Sequence, residues 1–226
     1  MENVKKTFEK LANEFDELII KLIPHYNEML EALALSIPYE KTESIKVMDL
    51  GCGTGTVSKM IREQYPNAIF SCVDLAENMI EMAKIKLGND RVTYKLKDFY
   101  HLMFDQNYDV IISSLALHHL LTDNDKKDFY FKIYNNLAHN GVFFNADIVL
   151  GANDKLESRY LHKWKEFMYK NVSVDEVDNK VIPRHNDEDH PSRLTDQLNW
   201  LLEIGFVDVD VIWKYYNFAV YGGFKP

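Results

Sequence analysis

From residue 45 onward the chain alternates two apolar patterns. Short, nearly unbroken apolar runs read as strands buried on both faces, and segments with apolar residues three and four apart read as amphipathic helices. In order, 45–50 predicts a strand, 56–64 a helix, 69–74 a strand and 77–87 a helix with Met79, Ile80, Ala83 and Leu87 inward. Residues 91–96 and 110–113 predict the third and fourth strands. Thr122 and Asp125, at capping-box spacing, open a helix with Phe129, Ile133 and Leu137 on one face, and Asn140-Gly141 is expected to end it. A long apolar strand over 142–150 follows, then a last helix over 194–204 stopped at Gly205. Val207, Val209 and Val211 alternate with Asp208 and Asp210, a half-buried strand, and 215–222 completes a hairpin. Strands and helices in alternation predict an α/β fold, a parallel sheet covered on both faces.

Two stretches stand outside this alternation. Val4, Phe8, Leu11, Phe15, Leu18, Ile19 and Leu22 lie at helical spacing, Pro24 breaks the run, and Tyr26, Met29, Leu30, Leu33 and Ile37 resume it. Residues 1–40 therefore predict a helical cap, with Phe15, His25 and Tyr26 as its candidate lid residues. Leu156, Tyr160, Trp164 and Phe167 or Met168 form a second stripe, followed by a charged, loop-like stretch. Residues 152–193 are expected to be an insertion roofing a pocket within one domain, 1–226.

Composition narrows the function. The 226 residues are 46% hydrophobic and 27% charged, enough for one substantial core. Acidic side chains (35) outnumber basic ones (26), for a net charge of −9. The lysines are scattered beside acids, so a nucleic-acid partner is disfavoured. There is no apolar run near 18 residues and no secretory-type leader, so no membrane partner and a cytoplasmic location are expected. Cys52 and Cys72 read as packing residues, Cys52 also lying against any ligand of the turn that carries it.

That turn is Val47-Met48-Asp49-Leu50-Gly51-Cys52-Gly53-Thr54-Gly55, a strand opening into three glycines at alternate positions. Glycine lets a ligand rest directly on the backbone, and the following helix N-terminus presents free N–H groups. The dinucleotide pattern G-x-G-x-x-G fails at Thr56, and no G-K-[ST] follows for a phosphate loop. Asp74, at the end of the next strand, is placed to accept ribose hydroxyls. The pattern implies ribose without diphosphate.

At these residues the chain resembles the class I S-adenosylmethionine-dependent methyltransferases. Asp49 to Gly55 is similar to their first motif and Val73-Asp74-Leu75-Ala76-Glu77-Asn78-Met79 to their second. Lys97-Asp98-Phe99, Tyr108 to Ser113 and the terminal aromatic hairpin extend the resemblance over about residues 45–226. It implies a Rossmann-like, seven-stranded, mostly parallel sheet with the last strand antiparallel. It also implies S-adenosylmethionine as methyl donor, S-adenosylhomocysteine as product and a small-molecule acceptor, and leaves a homodimer open. Donor contacts are expected at Asp49, Gly51, Cys52, Gly53, Gly55, Asp74, Leu75, Met79, Asp98 and Phe99, with Ser114, Leu115 and Tyr26 beside the methionine half. Asp98 is expected at the adenine, against the alternative of a helix cap.

Candidate catalytic residues are His118, His119, Tyr26 and Asp147. One histidine can serve as general base, against the alternative that one is packed and the other on the surface. Asp147 is equally a substrate contact or a structural hydrogen-bond acceptor. Adjacent histidines are expected to diverge, and His185, Asp187, Glu188, Asp189 and His190 show no ligand motif, so no metal is expected. Three other readings stay open. The Leu22-Ile23-Pro24-His25-Tyr26 stretch is loosely similar to enzymes that make or use carboxy-S-adenosylmethionine, with Arg184 and Arg193 as candidate carboxylate-binding residues. A tRNA-directed enzyme and a non-catalytic cofactor-binding module are the others.

Overall fold

The computed structural model describes residues 1–226, which form one seven-stranded sheet in the order β3-β2-β1-β4-β5-β7-β6. The strands are β1 (Lys46–Leu50), β2 (Ile69–Asp74), β3 (Val92–Leu96), β4 (Tyr108–Ser114), β5 (Leu137–Ile148), β6 (Val207–Tyr215) and β7 (Phe218–Phe224). The first five pair in parallel; β7 runs antiparallel between β5 and β6. Every residue of β1 after Lys46 is buried, which is why its apolar run is unbroken except at Asp49. The chain reverses its strand order between β1 and β4, so the carboxyl ends of these strands open the crevice where ligands gather in such sheets.

The connecting helices match their periodicity. They are α4 (Thr56–Gln64), α5 (Glu77–Leu87), α6 (Asp123–Asn136) and α10 (Leu194–Ile204). A reciprocal capping box between Thr122 and Asp125 starts α6. That helix ends at Asn136, short of Asn140-Gly141, because Leu137 pairs with Tyr108 and draws residues 137–141 into β5. Most buried apolar side chains fall in two clusters on the two faces of the sheet; one contains Val47, Ile112 and Phe144, the other Met48, Ile111 and Phe143, alternate residues of the same strands facing opposite ways.

Residues 1–40 hold three helices, α1 (Glu2–Leu11), α2 (Phe15–Leu22) and α3 (Tyr26–Leu35); Pro24 separates the last two, and the first apolar stripe is split at residues 12–14 into two short helices. Residues 152–193 hold α7 (Asp154–Met168) and, after it, more helix than expected. A short α8 (Val174–Glu176) passes through a wide turn (Val177–Val181) into α9 (Ile182–Glu188). Val177 and Val181, four residues apart and both buried, are the apolar signal within that charged stretch. No helix is long and apolar enough to cross a membrane.

Charged side chains fasten the cap. Glu9 on α1 accepts from the backbone N–H groups of Glu77 (2.7 Å) and Asn78 (3.0 Å), capping α5, which has no cap of its own. Asp16 on α2 accepts from Thr54 (2.6 Å) and from Lys86 on α5 (2.6 Å). Lys86 also donates to the Thr54 and Thr56 hydroxyls of the glycine turn.

Candidate active site

The turn after β1 is shaped by two glycines. Gly51 has φ +72°, and a Cβ there would stand 2.2 Å from the Ala116 side chain, so no other residue fits. Gly53 has φ +51° with nothing within 4 Å of the same position, leaving its backbone open to the cavity. Its N–H donates to Asp74 Oδ2 (2.9 Å), while Asp74 Oδ1 accepts from Ala76 N–H (2.9 Å). Burial raises the Asp74 carboxyl and these backbone donors lower it, leaving it at about 6.

A cavity opens above this turn. Of the expected donor residues, Gly51, Cys52, Gly53, Asp74, Leu75, Met79, Phe99, Ser114, Leu115 and Tyr26 line it. Three do not. Gly55 faces the packed side, where a Cβ would meet Leu87 at 2.9 Å. Asp49 is fully buried beneath the turn, accepts from Ser58 (2.6 Å) and has an unpartnered Oδ1; burial pushes it up to about 7. Asp98 caps the following short turn by accepting from Tyr100 N–H (2.7 Å), which is the helix-cap alternative. Phe15 joins the lining as expected, but His25 packs against Tyr215 at a ring separation of 4.6 Å and lines no cavity described. Met1, Phe8, Thr54, Thr56, Val57, Lys97 and Ala116 also line it and were not among the expected donor contacts. Phe8 carried a signal, an aromatic seven residues before Phe15 on the same stripe.

A second cavity lies beside the first. Phe8, Phe15, Leu115 and His119 line both, so they form the partition. The far side holds Leu18, Leu22, Ile148, Trp164 and Phe218, together with His118, Arg184, His185, Glu188 and Asp189. Leu115 adopts φ +51°, a conformation that costs a branched L-residue roughly 1–2 kcal/mol. It turns the chain at the end of β4 into the tight turn Leu117–His119.

That turn brings both histidine rings to one side, against the expected divergence, with ring centroids 4.1 Å apart. Both are buried, so neither is a surface residue. His118 Nδ1 lies 2.5 Å from Asp147 Oδ1, and its Nε2 lies 3.4 Å from Asp189 Oδ1. Burial opposes charge on His118, but the two carboxylates outweigh it and raise the imidazolium to about 10. Burial, then the His118 charge, pushes His119 down to about 4. Its Nδ1 lies 3.2 Å from the Glu188 carbonyl and 3.3 Å from Asp189 Oδ1; its buried Nε2 has no partner. Burial would raise Asp189, yet the His118 charge and hydrogen bonds from His118 and His185 hold it well below the usual carboxylate range. Asp147 lines neither cavity and serves as a structural acceptor.

Residues 47–141 match the family model described as a methyltransferase domain. Malonyl-[acyl-carrier protein] O-methyltransferase from Bacillus cytotoxicus is 33% identical over 142 residues, 62% of this chain and 47% of the relative. The chain thus spans about half the length of that relative. Carboxy-S-adenosyl-L-methionine synthase from Campylobacter hominis is 28% identical over 224 residues, covering 96% of this chain and 94% of the relative. Among solved structures, human N-acetylserotonin methyltransferase in complex with SAM superposes with TM-score 0.63 at 17% identity, over 98% of this chain and 56% of that one. The DhpI–SAH complex gives 0.65 at 16%, over 96% and 92%. At such identities the structures attest the fold.

Proposed function

We propose that the chain is a class I S-adenosylmethionine-dependent methyltransferase that methylates a small molecule held in the second cavity. The observation that carries this reading is the shared partition of Phe8, Phe15, Leu115 and His119, which puts an acceptor chamber directly against the donor chamber.

The residues present fit the donor. S-adenosylmethionine supplies a methyl group already made electrophilic by its sulfonium. Asp74 would take the ribose hydroxyls on lone pairs its backbone donors leave free, and Gly51 and Gly53 would let the ligand approach the backbone. Tyr26 and Phe15 close the chamber toward the cap and exclude water. Across the partition the remaining task is orientation, which in favourable intramolecular cases supplies about 7–11 kcal/mol, more than a general base contributes. His118, held as a cation between two carboxylates, is not the base in this arrangement. His119 is neutral and its free Nε2 is available to accept a hydrogen bond from the acceptor.

A second reading is favoured by one kind of relative and one residue. The carboxy-S-adenosylmethionine synthase matches nearly end to end, and Arg184 supplies the acceptor chamber with a cation suited to a carboxylate. Incubation of the stripped protein with methyl-labelled S-adenosylmethionine and fractionated cell extract separates the two. Label appearing in a small acceptor, with S-adenosylhomocysteine released, supports methyl transfer. Label retained in a carboxylated form of the donor replaces it with the second reading.

A further inference from the structure

We propose that His118, His119 and Asp189 bind a divalent first-row transition-metal ion at the acceptor end of the site. The three residues each offer a ligand atom, all within 4.8 Å of one another. Asp189 Oδ1 lies 3.4 Å from His118 Nε2 and 3.3 Å from His119 Nδ1. Donors placed tetrahedrally around an ion with bonds of about 2.0–2.2 Å stand about 3.3–3.6 Å apart. The Asp189 separations already have that value.

The surroundings also match a metal centre. A ligating histidine commonly donates its other ring N–H to a carboxylate, which fixes the tautomer and directs the free nitrogen to the ion. Asp147 does this to His118: its Oδ1 receives Nδ1 and its Oδ2 receives the His118 backbone N–H (3.1 Å), so ring and backbone are both held. The remaining oxygen of Asp189 faces His185 Nδ1 at 2.7 Å, which orients that carboxylate. Two imidazoles and one carboxylate suit zinc, cobalt, nickel, manganese or ferrous iron more than calcium or magnesium. The His119 Nδ1–H contact to the Glu188 carbonyl, 3.2 Å, would give way to the ion.

Three protein donors leave a coordination position open. His118, His119, His185 and Asp189 all line the second cavity, so that position adjoins it. This last step rests on the proposed function: the ion would displace the Nε2 proton of His118, and the open position would hold an oxygen or nitrogen donor of the acceptor and lower the pKa of its proton. It would select acceptors that carry a lone pair able to ligate.

The test is metal binding by the chelator-stripped, tag-free chain, read by calorimetry with Zn²⁺ and by the visible absorption of Co²⁺. A single ion per chain, with a nitrogen-ligated Co²⁺ spectrum, is expected. Asp189→Ala should weaken binding at least about tenfold, and Asp147→Asn about 10–100-fold, the usual cost of losing the carboxylate behind a ligating histidine. Neither residue lines the donor cavity, so S-adenosylhomocysteine affinity should stay within about twofold and report a folded donor site. Absence of stoichiometric uptake by the wild type, or uptake that survives Asp189→Ala unchanged, overturns the proposal. Uptake without S-adenosylhomocysteine binding would instead overturn the proposed function and leave the metal site standing.

Discussion

Asp147 gathers four donors on one buried carboxylate, and His118 supplies two of them, its ring Nδ1 at 2.5 Å and its backbone N–H at 3.1 Å. The others are Ile148 N–H (2.9 Å) and Asn145 Nδ2 (3.2 Å). Asp147→Ala would strand them all beside a buried cation. We expect a loss of about 3–5 kcal/mol, the usual cost of breaking a buried pair from one side. Asp147→Asn keeps an acceptor and should lose less. Urea unfolding measures both, and a change below about 1 kcal/mol for the alanine variant would contradict the role assigned to this residue.

Under the proposed function, donor binding should be sensitive to pH through Asp74. Ribose hydroxyls donate to a carboxylate, and this one titrates at about 6, so its accepting form is lost as pH falls through that value. S-adenosylhomocysteine affinity should hold from pH 8 to about 6.5 and then fall, approaching tenfold per pH unit below about 5.5 when protonation competes with binding. Calorimetry across this range, beside an Asp74→Asn variant whose affinity is weak and flat, checks it. A wild-type profile as flat as the variant's would show that Asp74 is not the acceptor.

Asp49 has the opposite sign with respect to folding. Its folded pKa, about 7, lies above the ordinary value of 3.8, so the folded chain binds more protons than the unfolded chain between about pH 4 and 7. Its charge therefore costs stability increasingly as pH rises through that window, and the cost is complete above 7. In ligand-free protein, Asp49→Asn should gain on wild type from pH 5.5 to pH 8, by on the order of 2 kcal/mol at about 1.4 kcal/mol per pH unit. Paired denaturant curves at the two pH values decide; a constant difference between the proteins defeats the prediction.

Lys86 ties the cap to the glycine turn. The pair with Asp16 is partly exposed, 20% and 47% for the two side chains, so Lys86→Met should cost less than about 1 kcal/mol globally. Locally it frees α2, which carries Phe15 over both chambers. Amide exchange over residues 12–20 should quicken, and S-adenosylhomocysteine should bind roughly three- to tenfold more weakly. Unchanged exchange in that segment would mean that Glu9 at the start of α5 holds the cap without help.

What the sequence disclosed follows from how local each feature is. The strands 69–74 and the helices 56–64, 77–87 and 194–204 were readable residue for residue, because periodicity and terminal signals lie within each segment. Gly51, Gly53 and Asp74 were legible for the same reason: one turn and one strand end carry the cradle. Asp98 forms a cap that its place at a strand terminus did not foretell, because the three-residue turn it starts leaves no periodic signal in the sequence. The meeting of His119 with Asp189 was not legible. Seventy residues separate them, and their contact needs both the left-handed turn at Leu115 and the return of α9 over the sheet. Adjacency in the chain argued for divergent rings; a three-residue turn after a positive φ reversed it.

Leu115 gives that turn a further meaning. A leucine at φ +51° is a standing cost to the fold, and glycine would remove it. Yet the same side chain lies in the wall between the chambers, where glycine would leave a window. Relief of the backbone and separation of the two chambers thus compete at one position. A variant selected only for thermal endurance would drift toward glycine there and leak donor methyl to water, whereas selection for coupled turnover would keep a strained leucine.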